Sequence, residues 1–343
     1  MNLPIEPPYA PMEAEAVESL PEGEQWAYEP KWDGFRCLAF RDGDEVYLQS
    51  NSCKPLARYF PEVVTNLRDL APQRFILDGE LVVPTEDALS FDQLLQRIHP
   101  AESRIRRLAA ETPALLIVFD LLLGDRGAVL TDQPLAERRE RLEAFAARSL
   151  PADGPVRLSP HSRDPEQARA WLAGGRDGLD GTVAKRLDLG YLSGERTGMR
   201  KVKRYRSADC AVGGIRWSSA GAQIGSLLLG LHDGAELHHV GFCSGFNRAA
   251  RAEATERVRP FLGGSGFSGR APGGPSRWAT ERSAEWVPLR PGLVVEVGYD
   301  HFSEGRFRHG TRFLRWRPDK EPRHCTFDQI ETGGRSALAL LRT

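Results

Sequence analysis

No stretch of this 343-residue sequence approaches the eighteen or so consecutive apolar residues that a membrane-spanning helix requires, so no span is expected. The N-terminus lacks a basic segment followed by an apolar core. Glu6, Glu13, Glu15 and Glu18 make it acidic instead, so neither a signal peptide nor a transit peptide is expected. Cysteine is scarce: the five residues Cys37, Cys53, Cys210, Cys243 and Cys325 are odd in number and scattered, and none forms a CxxC pair. That excludes a disulfide framework and a cysteine zinc site, and places the chain in a reducing compartment, the cytoplasm. Histidines offer no metal-ligand spacing at His161, His301 or His309, and the adjacent His238 and His239 point to opposite faces of a strand. Net charge is near zero, at −1, so bulk charge gives no sign of a nucleic-acid partner, and no internal repeat is present.

The distribution of charge is more informative. Lys185, Arg186, Arg196, Arg200, Lys201, Lys203, Arg204 and Arg206 crowd one stretch, and Arg306, Arg308, Arg312, Arg315, Arg317, Lys320 and Arg323 another. Most such runs are solvated charge, but local basic patches on a neutral chain are also a way to engage phosphates without indiscriminate binding. The length suits two domains. Apolar alternation and turn signals predict strands over 35–40 and 46–49 joined at Asp42-Gly43, a helix over 61–70, strands over 75–83 and 114–123, a short helix over 90–98 capped by Ser90, and helices over 135–147 and 165–172. Lysine-dense strands follow over 182–186 and 199–205. Beyond residue 206 come short strands at 210–217, 226–231 and 237–242, a helix over 248–261, a Gly/Ser/Pro-rich loop over 263–276, and strands at 293–299 and 312–316, an order that suits a small closed barrel.

The residues that carry chemistry are spread along the chain. Lys31-Trp32-Asp33-Gly34, with Arg36 behind it, is common by itself and also fits a strand ending in a turn. Asp78-Gly79-Glu80 then sets carboxylates inside an apolar strand. Burying an unpaired charge costs several kcal/mol, so a cation or metal is expected beside them. Phe119-Asp120, Asp180-Gly181-Thr182-Val183-Ala184-Lys185, Lys201-Val202-Lys203 and Arg317-Pro318-Asp319-Lys320 complete the series. Converging lysines are costly without an anion and make sense around a triphosphate. A lysine that attacks a phosphate must lose its proton, and only about one in a few thousand is neutral at pH 7 at its ordinary pKa. Neighbouring cations at Lys185, Lys201 and Lys203 are expected to lower the pKa of Lys31 and to neutralise phosphate oxygens.

In this order the set resembles the covalent nucleotidyltransferases, namely ATP-dependent DNA ligases, RNA ligases and mRNA capping enzymes, over residues 11 to 330. The stretch Tyr28-Glu29-Pro30-Lys31-Trp32-Asp33-Gly34-Phe35-Arg36 is most similar to bacterial ATP-dependent DNA ligases of end-joining and repair. Leu179-Asp180-Gly181 and Phe313-Leu314-Arg315-Trp316-Arg317-Pro318-Asp319-Lys320 resemble their two-domain ligase C type in actinobacteria.

The resemblance implies an α+β fold. An adenylation domain of antiparallel sheets and flanking helices would span 1–205, and an OB-fold β-barrel domain 206–343, with a hinge at 204–207. It implies a DNA ligase that seals nicks in duplex DNA through a lysyl-AMP on Lys31 and a DNA-adenylate, with ATP and Mg²⁺ or Mn²⁺ as cofactors and DNA-repair proteins as further partners. A monomer is expected. Carried over residue by residue, Glu29 and Lys31 would meet the adenine, Arg36 the ribose or phosphate, and Phe119 would stack on the base, although a core aromatic fits the same spacing. Glu80 would bind the ribose or a metal, Asp180 the metal, and Lys185, Lys201 and Lys203 the phosphates. Arg317, Asp319 and Lys320, assisted by Arg315, would orient the pyrophosphate. Apart from the resemblance, the charge cluster around Arg306, Arg308 and Arg312 fits either a solvated face or, as the favoured reading, contacts to the DNA backbone. An RNA ligase, a capping-type guanylyltransferase and a non-catalytic nucleic-acid-binding protein are the alternatives. Two departures from the family pattern stand out. Asp180 replaces a usual Glu, and Ser50-Asn51-Ser52-Cys53 replaces Ser-Arg-Asn-Gly, which removes a phosphate contact that Arg58 would have to supply. Little chain precedes Lys31, so a minimal ligase without an N-terminal DNA clamp is expected.

Overall fold

The structure, a computed structural model, describes all residues except 87, 100, 175–177, 220, 222, 274–284, 331–335 and 342–343. The chain divides into two compact units: Met1–Arg204 together with Gly333–Thr343, and Tyr205–Thr332.

The first unit carries β1 (Glu15–Ala16), β2 (Trp26–Trp32), β3 (Phe35–Asp42), β4 (Glu45–Ser50), α1 (Pro61–Asp69), β5 (Arg74–Val82), α2 (Phe91–Arg97), α3 (Glu102–Glu111), β6 (Leu115–Leu123), α4 (Leu135–Ser149), β7 (Val156–Leu158), α5 (Pro165–Ala173), β8 (Leu179–Arg186) and β9 (Met199–Lys203). They build two sheets, of order β1-β9-β8-β2 and β4-β3-β5-β6-β7. β2 belongs to one sheet and β3 to the other, with only Asp33-Gly34 between them, so the chain changes sheets two residues after Lys31. Gly34 is required at that crossing, because a Cβ there would stand 2.1 Å from the Leu81 carbonyl oxygen.

β6 is apolar almost throughout and is covered on both faces. Leu116, Val118 and Leu121 join Phe60, Leu67, Phe75, Leu142 and Phe145 in one core cluster, and Leu122 and Leu123 join Leu38, Phe40 and Ile76 in another. Ser90 caps α2 by accepting from the Gln93 amide. α3 was not expected from the sequence. Ile105 and Leu108, three residues apart, are its buried side chains, and charged residues fill most of the rest. The hairpin turn lies at Gly43-Asp44, since β3 runs through Asp42.

The second unit carries β10 (Arg206–Trp217), β11 (Ile224–Asp233), β12 (Glu236–Cys243), α6 (Arg248–Val258), β13 (Val287–Pro288), β14 (Val294–Tyr299), β15 (Phe302–Ser303), β16 (Arg306–Phe307) and β17 (Arg312–Trp316). Pro260 ends the helix expected over 248–261 early, leaving a 3₁₀ turn at Arg259–Phe261. The main sheet runs β12-β11-β10-β14-β17, with β13 on β10. Its two edge strands meet through one isolated bridge, Cys243 with Thr311, so the closed barrel expected from the sequence is only partly closed, as in an OB-fold. Part of the expected Gly/Ser/Pro-rich loop, 274–276, lies outside the described residues.

The C-terminal segment departs from the expected boundary at 206–343. Ala337–Leu341 forms a short 3₁₀ helix whose Ala337 and Leu341 pack with Trp32, Val82, Leu89, Ile117 and Leu179 in the first unit. Burial of the leucines against that apolar patch outweighs what a free tail would gain in entropy. Among the described residues, no helix is long and apolar enough to cross a membrane.

Candidate active site

Strand register selects the residues of the site. In the pairing of β2 with β8, Lys31 stands opposite Gly181, Glu29 opposite Val183 and Ala27 opposite Lys185. In the pairing of β8 with β9, Gly181 stands opposite Lys203, Val183 opposite Lys201 and Lys185 opposite Met199. Directly opposed residues share a face, and alternate residues of a strand do too. Lys31, Glu29, Lys185, Lys201, Lys203 and Met199 therefore line one face of one sheet. Close approach of β9 is possible because Gly181 has φ +148° and no side chain; a Cβ there would lie 2.0 Å from the Val202 carbonyl oxygen. On the other sheet Arg36 pairs with Glu80, Glu80 with Ile117, and Phe119 follows two residues later on the same side.

A cavity of about 230 Å³ opens between these faces, lined by Glu29, Lys31, Arg36, Glu80, Phe119, Lys185 and Lys201 together with Glu13, Asn51 and Met199. Phe119, which the sequence left between a core role and a stacking role, is buried and also lines the cavity. Two cations flank its ring, with the Arg36 guanidinium 4.6 Å and the Lys185 ammonium 4.4 Å from its centroid. Asn51 lines the cavity at the position where the family pattern has arginine.

Several of the charges are partnered. Lys31 Nζ donates to Asp180 Oδ2 at 2.5 Å, and Lys203 Nζ lies 3.4 Å from the same oxygen. Lys185 Nζ donates to Glu29 Oε2 at 2.8 Å. Arg36 is held by Asp78, which accepts from its Nε at 2.5 Å and its Nη2 at 2.6 Å and from the Tyr191 hydroxyl at 2.6 Å. The Tyr191 hydroxyl in turn accepts from the Met12 amide at 3.0 Å. Asp120 is bound to the buried Arg138 by two contacts of 2.9 Å, which together with a neighbouring amide hold its carboxyl below the usual carboxylate range against the cost of burial. Burial pushes the Glu80 carboxyl up to about 7, opposed by Lys31 and Arg36. Burial, then Lys31 and Lys203, lower the Lys201 ammonium. The expected crowding of positive groups is thus present at Lys201, whereas the Lys31 amine itself shares a carboxylate.

The remaining sequence-predicted residues lie in the second unit. Arg317 Nη1 donates to both carboxylate oxygens of Asp209 at 2.9 Å and its Nη2 to Asp319 at 2.8 Å, while Lys320 Nζ reaches Asp209 at 2.8 Å. The Arg317 contact holds the Asp319 carboxyl down at about 2. Arg315 pairs with Glu296 at 2.6 Å, and Arg306 and Arg308 sit at and just after β16. His238 and His239 behave as separate groups: His238 Nδ1 accepts from the Arg270 amide, and burial lowers the His239 imidazole to about 4. Sequence reading did not assign roles to Asp78, Tyr191 or Asp209. Asp78 was visible as a carboxylate in an apolar strand, but nothing local points from Tyr191 to it across 113 positions.

The arrangement fits an adenosine triphosphate with a divalent metal. It offers an aromatic face, several cations for phosphate oxygens and a lysine at the cavity wall. No cluster of three or more His, Cys, Asp or Glu side chains among the described residues makes a dedicated metal cage. Mg²⁺ carried by a nucleotide needs only one or two protein carboxylates beside the phosphates; Glu80 lines the cavity, and Asp180 is bonded to Lys31 at its wall.

The sequence matches the family described as ATP dependent DNA ligase domain over residues 11–203 and that described as ATP dependent DNA ligase C terminal region over 220–320. The chain belongs to the ATP-dependent DNA ligase family. It is 47% identical to DNA ligase C1 of Mycolicibacterium smegmatis, covering 97% of this chain and 96% of that one. It is 41% identical to DNA ligase C of Mycobacterium tuberculosis, covering 96% of each. The multifunctional non-homologous end joining protein LigD of Mycobacterium bovis is 30% identical over 311 residues, 87% of this chain and 37% of that one. Among solved structures, a Lig E DNA ligase superposes with a TM-score of 0.53 at 15% identity, covering 89% of this chain and 99% of that one, a likeness of fold. As a member of this family the chain is an enzyme that uses ATP, a covalently held AMP and a divalent metal, and it acts on nicked DNA.

Proposed function

We propose that this ligase seals nicks in duplex DNA in a repair setting, with Lys31 as the residue that carries AMP. Lys31 Nζ attacks the α-phosphate of ATP, forming the P–N bond while pyrophosphate leaves. The AMP then passes to the 5′-phosphate at the nick, and the neighbouring 3′-hydroxyl attacks that phosphate and releases AMP. Lys31→Asp180 hydrogen bonding gives the amine a carboxylate that can take up its proton, and Lys203 on the same carboxylate holds the pair in place. Lys185 and Lys201 face the cavity where phosphate oxygens gain charge. Arg36 and Phe119 shape the site for ribose and base. Glu80 and Asp180 would hold Mg²⁺ or Mn²⁺, which would supply charge neutralisation to the phosphates.

In the second unit, Arg317 and Lys320, paired through Asp209, with Asp319 and Arg315 beside them, are the groups for orienting pyrophosphate. Arg306 and Arg308 are the groups for the DNA backbone. The repair setting is supported by likeness to the LigD relative, and we place the enzyme in the cytoplasm as a monomer working with repair proteins. One observation carries the reading: Lys31 stands in the wall of a cavity that also gathers Lys185 and Lys201 from the adjoining strands, Arg36, and the aromatic face of Phe119.

The test is incubation with α-labelled ATP and a divalent metal, followed by a nicked duplex. Wild type takes up label and transfers it to DNA, whereas Lys31→Ala takes up none. Labelling that persists in Lys31→Ala overturns the assignment, and labelling by GTP in place of ATP moves the activity to the capping class.

A further inference from the structure

On a regular strand, Asp180 would face away from Lys31. Lys31 stands opposite Gly181 in the pairing of β2 with β8, and Lys203 stands opposite Gly181 in the pairing of β8 with β9, so all three share one face. Asp180 is the next residue along β8, and strict alternation turns it to the other face. Its carboxylate nevertheless accepts from Lys31 Nζ at 2.5 Å and lies 3.4 Å from Lys203 Nζ. The register explains the exception. After Lys31 with Gly181, the next pair is Trp32 with Leu179, so Asp180 has no residue opposite it on β2. An extra residue of this kind is a β-bulge, which bends the strand and re-aims a side chain. Gly181 brings no side chain to the lysine face, so the space between Lys31 and Lys203 is left to the Asp180 carboxylate.

The residue after Lys31 holds this bulge in place. Trp32 is buried and packs with its partner Leu179 and with Val82, Leu89 and Ile117. Its Nε1 donates to the Ser159 hydroxyl at 2.9 Å, a bond closed off from solvent. Ser159 is itself fixed at both backbone groups. Its amide donates to the Val118 carbonyl at 2.8 Å, and its carbonyl accepts from Arg139 Nη2 at 2.7 Å. The indole is thereby tied to β6, a strand of the other sheet. Pairing resumes beyond the bulge, where the Asp33 amide donates to the Gly178 carbonyl at 3.0 Å. A slip of one residue between β2 and β8 would turn Trp32 out of its apolar surroundings and return Asp180 to the far face. The register of Trp32 and the placing of the carboxylate are therefore one and the same choice.

We propose that Trp32 and Ser159 are positioning residues for the first step of the reaction: by locking the register at Trp32 they fix the bulge that delivers the Asp180 carboxylate to the Lys31 amine. Ser159 lies outside the lining of the cavity, so its effect on the reaction passes through Trp32. The inference rests on the reading of Lys31 as the carrier of AMP and of Asp180 as the acceptor of its proton, and its test separates the two.

The experiment measures single-turnover formation of the lysyl-AMP across ATP concentrations, together with thermal unfolding. The proteins are wild type, Trp32→Phe, Ser159→Ala, Asp180→Asn and the two double variants that add Asp180→Asn. Phenylalanine keeps the apolar packing and loses the bond to Ser159, and Ser159→Ala removes the same bond from the other side. Each is expected to slow the maximal rate about tenfold, with the KM for ATP within about twofold of wild type. In the Asp180→Asn background neither slows the rate further, because the carboxylate they position is already gone, while their cost in thermal midpoint persists. Bracing of the fold alone gives the opposite result, the same loss of rate in both backgrounds, and that outcome overturns the proposal. So does a wild-type rate in both Trp32→Phe and Ser159→Ala, or a loss made up entirely of a raised KM. If Trp32→Phe does not fold, Ser159→Ala with and without Asp180→Asn decides by the same criterion. A slowed Asp180→Asn with additive double variants sinks the positioning role alone. A wild-type rate in Asp180→Asn sinks the role given to that carboxylate and the positioning role with it. Failure of the AMP-carrier reading appears separately, as label on the Lys31→Ala protein.

Discussion

Asp78 is the residue on which the geometry of the cavity most depends, and Asp78→Asn tests that dependence. Its carboxylate is fully buried and accepts three short bonds, two from Arg36 and one from the Tyr191 hydroxyl. Asparagine keeps the shape but removes the charge, and its amide group points N–H at a donor, Arg36 or Tyr191, whichever way it is turned. Removing one partner of a buried ion pair costs about 3–5 kcal/mol, because the other charge stays buried without compensation. Arg36 is about one-fifth exposed, which places the effect near the lower end, at about 3 kcal/mol. At roughly 2–4 °C per kcal/mol for a unit of this size, the thermal midpoint of the first unit falls by about 6–12 °C. The assay is thermal unfolding of Asp78→Asn, Arg36→Met and the double variant. The double variant is expected to be less destabilised than the sum of the singles by at least about 1 kcal/mol, since it leaves no charge stranded. Additive losses, or a loss below about 1 kcal/mol in Asp78→Asn, would show that the pair is not the strut described above. Arg36 also packs on Phe119, so the same variant is expected to raise the KM for ATP in lysyl-nucleotide formation.

Two further outcomes follow from the folded arrangement. Burial raises the Glu80 carboxyl to about 7, so the folded chain keeps a proton that the unfolded chain has released between the ordinary glutamate value and about pH 7. Stability is therefore lost as pH rises through that window, by at most about 1.4 kcal/mol per pH unit. Urea midpoints of metal- and nucleotide-free Glu80→Gln across pH 5–8 are expected to show a shallower fall than wild type, and an identical slope would refute the assignment to Glu80. Removing residues 336–343 uncovers Trp32, Leu179 and Ile117 and strips the buried Ala337 and Leu341 from them. The expected loss is about 3 kcal/mol in the first unit, with lysyl-nucleotide formation falling as Trp32, next to Lys31, loosens. A truncated chain with an unchanged melting profile would show that the tail does not support the site.

Much of the site is local information. Lys31 and Glu29 share a face because strand residues alternate, and the Lys31-Trp32-Asp33-Gly34 turn is readable because Gly34 and Gly181 occupy positions where a side chain meets backbone. The order of the motifs, the apolar β6, the cap at Ser90 and the basic residues of β8 and β9 are written in short windows of sequence. The remainder depends on pairings between distant segments. Register between β2, β8 and β9 brings Lys185 and Lys201 to the Lys31 face, and no local pattern encodes that alignment. The Tyr191 contact with Asp78, the bridge between Tyr28 and Ser162, the partial closure of the second sheet and the return of Ala337–Leu341 to the first unit were decided only in three dimensions. Periodicity reports which face of an element is apolar, and says nothing about which other element covers it. The choice among covering partners is made by the sum of packing and charge pairing over the whole fold.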